Sequence, residues 1–292
     1  MATLHEPPVA TPPDADPDAA PPFPWYAPFL TGLAVFLGAG IVVAIIGVAA
    51  GWNANNLPDR AVLLATLGQD LALIGGVFAV ARLTSRRPRW DLGLRRHVRV
   101  GRSLLLAFVA FVAFFGFLLV WQAVLDIKQT DDLAQQLGAR DSSFNLAFVA
   151  VLVAVIAPIA EELFFRGFLF GALRGVMHWV PAAIVTGISF GLVHAGGTDA
   201  VFLVPLAVLG FLLCLLYRRT GSLLPGMGVH AFNNALALAA TLHWTAGQGI
   251  AAVIAAPALT IAVAAAVSVS APSRPSAPAP MVAPRWLPPR AP

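Results

Sequence analysis

Two adjacent glutamates and an arginine stand in the stretch APIAEELFFRG, residues 157 to 167, within a long apolar run. Charged groups at mid-membrane cost roughly 2.5–3.5 kcal/mol each on insertion scales, so such residues face a partner or a wet cavity, and their default reading is functional. The other polar side chains inside apolar runs are few: Asp70, His194, and His230, Asn233 and Asn234 in HAFNN. A carboxylate can take a proton from water. An imidazole can relay a proton or bind a metal, and amide or imidazole N–H groups can donate to a developing negative charge.

Helical geometry gives the two glutamates different surroundings. At about 100° per residue, Glu162 and Arg166 lie about 40° apart on one face and can pair, while Glu161 points about 140° away from Arg166, free to face a cavity. One buried ion-pair cluster holding helices together explains the same three residues without chemistry. His230 and Asn234 share a face; Asn233 points elsewhere, toward a hydrogen bond with a neighbouring helix. Phe190 and His194 in FGLVHAGG are also four apart, so the phenyl ring can pack beneath the imidazole. A lone membrane histidine is more often an interhelical hydrogen-bonding group than a ligand. Glu, His, and His plus Asn on three separate helices shift the balance toward one assembled site.

Glycines in HAGG and PGMG fit close helix approach or a local break, and Pro158, one turn before Glu162, loosens its helix. Packing alone explains each of them as well. Asp70 reads as a helix-packing polar group or as a substrate or ion contact.

The chain that positions these residues is 59% hydrophobic and 11% charged over 292 residues, with a mean hydropathy of +0.81. That is too apolar for a soluble domain and predicts an all-α polytopic transmembrane bundle in the cell membrane. Eight spans are expected: 26 to 50, 61 to 83, 103 to 125, 144 to 170, 179 to 195, 200 to 217, 222 to 243 and 249 to 270, the fifth and sixth of them short. Residues 1–24, rich in Pro, Ala and Asp, read as a disordered tail and not as a cleaved signal peptide; residues 271–292 read as a basic Pro-rich tail around a transmembrane domain at 25–270.

The loop between spans two and three holds seven arginines, whereas DIKQTDDLAQQLGARD holds four acids against two bases. Retention of positive loops in the cytoplasm then puts both termini inside. The pI near 10.2 reflects these topology signals and does not imply a nucleic-acid partner. The single Cys214 excludes an intramolecular disulfide.

EELFFRG, FGLVH and HAFNN, in this order on three expected spans, resemble the EExxxR, FxxxH and HxxxN motifs of the CPBP family of intramembrane proteases. That family includes type II CAAX prenyl endopeptidases and bacteriocin-processing or self-immunity proteins. The resemblance covers residues 144–243 and implies functional roles for Glu161, Glu162, Arg166, His194, His230 and Asn234.

On this reading Glu161, aided by His194, activates water, and His230 and Asn234 donate to the oxyanion. Glu162, Arg166 and Phe190 support them, and the substrate is a membrane-associated or lipidated, CAAX-like peptide. A zinc-dependent version would use Glu161, His194 and His230 as Zn²⁺ ligands converging from three helices. A proton- or ion-coupled transporter using Asp70 and the glutamates is the alternative from another class; the lack of a visible inverted repeat and the matched motifs stand against it.

Overall fold

The computed structural model describes residues 21, 23–51, 59–96, 99–127, 137, 139, 142–195 and 197–270, with backbone alone at 59 and 60. The tails at 1–20 and 271–292, with Lys128 and Arg140 of the acidic loop, lie outside the described residues. Among the described residues the protein is all-helical, with no β-strand. The helices are α1 (Ala27–Ala49), α2 (Asp59–Thr84), a short α3 (Pro88–Asp91), α4 (Val100–Val124), α5 (Ser143–Leu173), α6 (Trp179–Leu192), α7 (Ala200–Thr220), α8 (Leu224–Thr241) and α9 (Ala246–Val267).

Each expected span coincides with a helix, but among the described residues six are long and apolar enough to cross a membrane: α1, α2, α4, α5, α7 and α9. The two exceptions carry motif residues. Helix α6 has 14 residues, about 21 Å at 1.5 Å per residue against a hydrocarbon thickness of about 30 Å. Helix α8 loses apolar character to His230, Asn233 and Asn234. Both are surrounded by more apolar neighbours. Leu33, Leu37, Ile41 and Ile45 of α1, and Leu104, Leu105 and Phe108 of α4, remain exposed. An apolar surface of that extent suits lipid rather than water, and the protein is a multi-pass membrane protein.

Aromatic packing surrounds α5. Phe164, Phe165, Phe168 and Phe170 are buried with Leu73, Val77, Leu92, Phe190 and Leu223. The arginine-rich segment after α2 is fixed beneath this core: Leu223 N–H donates to the Gly93 carbonyl at 2.9 Å, and Ser222 Oγ donates to the Arg95 carbonyl at 2.8 Å. Gly93 has φ +80°, and a Cβ there would meet the Tyr217 ring at 2.5 Å. No other residue suits that position, because the backbone conformation and the space both exclude a side chain.

Helices α6 and α7 approach most closely at small residues. A Cβ on Gly187 would lie 2.7 Å from the Ala207 carbonyl oxygen, and one on Gly191 would lie 2.5 Å from that of Leu203. These glycines lie five to ten residues before those of HAGG. Gly191→Ala would force α6 from α7 and should destabilise the protein by about 1–3 kcal/mol, as overpacking does, seen as a lower thermal midpoint in lipid nanodiscs. An unchanged midpoint would contradict this packing.

Candidate active site

Helix α5 begins where Ser142 Oγ accepts from Asn145 N–H at 3.1 Å, and it then widens twice into π-helical turns, at Leu152–Ile156 and Glu162–Phe170. The first widening has a visible cause. Ala157 N–H donates to the Leu152 carbonyl, five residues back. The next donor in that register would be Pro158, which has no N–H, so the Val153 carbonyl loses its partner within the helix. It accepts instead from Asn234 Nδ2 at 2.9 Å. The following carbonyl, Ala154, whose ordinary α-helical donor would again be Pro158, accepts from Thr260 Oγ1 at 3.2 Å. A proline in α5 thus ties α8 and α9 to the site, satisfying carbonyls that apolar surroundings could not.

One turn later come the charges. Glu162 and Arg166 are both fully buried and pair through Oε1 and Nη1 at 2.7 Å. Arg166 Nη2 donates to the Gly210 carbonyl at 3.2 Å, and its guanidinium lies 4.4 Å from the Phe190 ring centroid. Residues four apart remain on one face of the wider turn, so the expected pair forms. Glu162 Oε1 also faces His230 Nδ1 at 3.1 Å. A carboxylate already paired with arginine only accepts, so Nδ1 carries the proton. A Cβ on Gly226 would lie 3.0 Å from Glu162 Oε2, so a glycine leaves room for this carboxylate.

Glu161 faces the other way, into a cavity of about 310 Å³ shared with Asp70, His194, His230, Asn233 and Asn234. Its Oε2 lies 3.9 Å from His194 Nε2 and 3.7 Å from His230 Nε2, with no hydrogen-bond partner among the described residues. His194 Nδ1 lies 2.7 Å from the Phe190 carbonyl oxygen, an end carbonyl of α6. A carbonyl accepts only, so Nδ1–H donates and Nε2 is turned toward Glu161. The Phe190 ring lies 5.0 Å from the His194 ring and 5.5 Å from that of His230. It packs against both imidazoles, where the sequence anticipated one.

All the expected motif residues come together, with one difference in role. Asn233 lines the cavity and donates from Nδ2 to Asn234 Oδ1 at 3.4 Å, instead of reaching a neighbouring helix. The cavity runs along α8 as far as Thr241, wide enough to take in both asparagines. Sequence reasoning missed the Val153 carbonyl, Thr260, the Gly210 carbonyl and the role of Gly226. Pro158 was the available signal for Val153, since it removes a donor for a carbonyl at a known distance upstream.

Glu161, His194 and His230 do meet, at separations wider than those of ligands around a bound zinc. Ligands about 2.0–2.1 Å from a tetrahedral zinc lie about 3.3 Å from one another, closer than the 3.7 and 3.9 Å found here. Among the described residues no group of three His, Cys, Asp or Glu has metal-holding geometry.

Removing one partner of a buried pair leaves a charge uncompensated. Arg166→Met should cost about 3–5 kcal/mol, and Glu162→Gln combined with it should recover much of that loss. Denaturation of the purified variants in nanodiscs measures both, and a double variant no more stable than Arg166→Met would refute the pairing.

A family profile described as type II CAAX prenyl endopeptidase Rce1-like matches residues 143–236. The chain is similar to the "Putative membrane peptidase YdiL" of Bacillus subtilis, 30% identical over 34% of this chain and 33% of that protein. It is also similar to the "UPF0177 protein YxdF" of Lactococcus lactis, 25% identical over 40% of this chain and 64% of that one. The chain thus spans about a third and about two thirds, respectively, of these relatives. No solved structure matches. Residues 143–236, which hold every motif side chain of the site, are thus similar to the Rce1-like family of type II CAAX prenyl endopeptidases.

Proposed function

We propose that this protein is an intramembrane endopeptidase that hydrolyses a peptide bond of a membrane-associated substrate with water activated by Glu161. The observation that carries the reading is the environment of Glu161. Its Oε2 has no hydrogen-bond partner among the described residues and lies 3.9 Å from His194 Nε2, while its neighbour Glu162 is paired with Arg166. Two adjacent carboxylates in different environments can take different roles.

A water between Glu161 and His194 meets two acceptors, and a distance of 3.9 Å is too long for direct contact but open to a bridge. Glu161 takes one water proton as the oxygen attacks the scissile carbonyl. The oxyanion is met by two donors: the second N–H of Asn234, whose first is held by Val153, and Nε2–H of His230 in its imidazolium form. That cation would sit between Glu162 at Nδ1 and Glu161 at Nε2. Glu161 then returns the proton to the leaving nitrogen as the C–N bond breaks. His194 and Glu162 position water and donor without changing covalently.

The family match over residues 143–236 supports peptidase chemistry, and an active site among apolar helices supports a substrate that is lipidated or itself membrane-associated. The defining test compares membrane proteomes of cells carrying wild type or Glu161→Gln. A peptide terminus that appears only with wild type is expected, and identical termini in both would refute the proposal.

Asn234→Ala should remain folded and lose about 100- to 1000-fold in rate, the usual effect of removing one oxyanion donor. Pro158→Ala separates positioning from stability. A restored N–H at 158 competes for the carbonyls that now orient Asn234 and Thr260, so thermal stability should hold or rise while cleavage falls about 10- to 100-fold, as for a misplaced catalytic group. Full activity in Pro158→Ala would show that the freed carbonyl does not orient the site.

A further inference from the structure

Asp70 is the acid of the cavity wall that the proposed reaction leaves unused. It stands on α2, 5% exposed, and its Oδ2 has no hydrogen-bond partner among the described residues. Thr66, one turn earlier on the same wall, does not serve it, because Thr66 Oγ1 donates to the Val62 carbonyl at 2.9 Å. Much of the surrounding wall is apolar, with Phe36, Leu73, Leu152 and Phe164. A carboxylate held there without donors is costly, and a ligand that brings N–H donors offsets that cost.

Charge balance decides which ligand. The described residues lining the cavity include two carboxylates, Asp70 and Glu161, and no Lys or Arg. Arg166 does not line it, and its Nη1 and Nη2 are committed to Glu162 and to the Gly210 carbonyl. A cationic group entering the cavity meets two unpartnered acceptors in a poorly screened setting, where charge-assisted hydrogen bonds are strongest. A carboxylate entering the same space meets two acidic side chains, and the one cation of the proposed reaction, the His230 imidazolium, is already held between Glu161 and Glu162.

We infer that Asp70 receives a lysine or arginine side chain of the substrate peptide, and that the cavity disfavours a free C-terminal carboxylate close to the scissile bond. The inference rests on the endopeptidase reading and narrows its substrate class. A basic residue flanks the cleaved bond, and cleavage falls within a chain rather than at a terminal tripeptide.

The test uses the full chain in lipid nanodiscs with internally quenched, N-myristoylated peptides of one apolar scaffold. Lys, norleucine or Glu is placed at each position in turn, and the C-terminus is either free acid or amide. At one position, Lys peptides should be cleaved about tenfold or more faster than norleucine peptides, the order expected for a hydrogen bond to a charged group, with Glu slowest and amides faster than acids. In Asp70→Asn the Lys-to-norleucine ratio should fall to near one, and in Asp70→Glu it should persist. Because the ratio is taken within one preparation, partial loss of folded enzyme does not alter it.

A wild-type ratio near one at every position overturns the inference even if Asp70→Asn does not fold. So does a ratio that survives Asp70→Asn, which would mean that Asp70 only packs between helices. Wild type that cleaves no peptide beyond the Glu161→Gln background overturns the endopeptidase reading itself, and this inference with it.

Discussion

A carboxylate and a guanidinium with no exposed surface must satisfy each other, and the rest of the site depends on how Glu162 and Arg166 do so. Their separation of 2.7 Å within one wide turn of α5 does more than offset desolvation. Arg166 reaches the Gly210 carbonyl of α7, Glu162 reaches His230 of α8, and Phe190 of α6 packs against the guanidinium face. One pair therefore fixes the mutual positions of four helices. It also removes Glu162 from the reactive population, which leaves Glu161 as the motif carboxylate open to the cavity. Adjacent residues of one type thus acquire opposite uses through burial and pairing alone.

The second constraint is the missing N–H of Pro158. Within a membrane an unpaired carbonyl is expensive, so freeing Val153 and Ala154 obliges neighbouring helices to supply donors. Asn234 and Thr260 are those donors. The bond from Asn234 fixes its amide plane and uses one N–H, leaving the other directed by the same geometry. The π-turns on either side widen α5 where its side chains must pair inward at Glu162 and face the cavity at Glu161. Local departures from α-helical geometry of this kind are frequent at functional sites.

Local separation along one helix was readable from sequence, because residues four apart share a face in either helical form: Glu162 with Arg166, Phe190 with His194, His230 with Asn234. Helix positions were readable from apolar runs for the same reason. Convergence between helices was not legible, because it depends on crossings set by Gly187, Gly191 and Gly210, whose partners are backbone atoms of a facing helix. Asn233 illustrates the limit. Its angular offset from Asn234 was correctly read, but the width of the cavity, which decides that both face it, belongs to the packing.

The helices least suited to lipid are two of those that carry the chemistry. Helix α6 is short, and α8 is interrupted by imidazole and amide groups, yet His230 is nearly fully buried and Phe190 wholly so. Such helices are tolerable because long apolar helices such as α1 and α4 present their side chains outward in their place. A division of labour follows. The outer helices meet the hydrophobic requirement, while the inner ones carry hydrogen-bonding groups whose cost is offset only by each other. Among the buried side-chain atoms without a partner in the described residues, the oxygens of Asp70 and Glu161 are those whose residues line the cavity. An assembly that satisfies its buried carbonyls at Val153, Ala154 and Gly210 but leaves two cavity acids without donors is arranged to receive donors from outside, and a peptide with its water carries them.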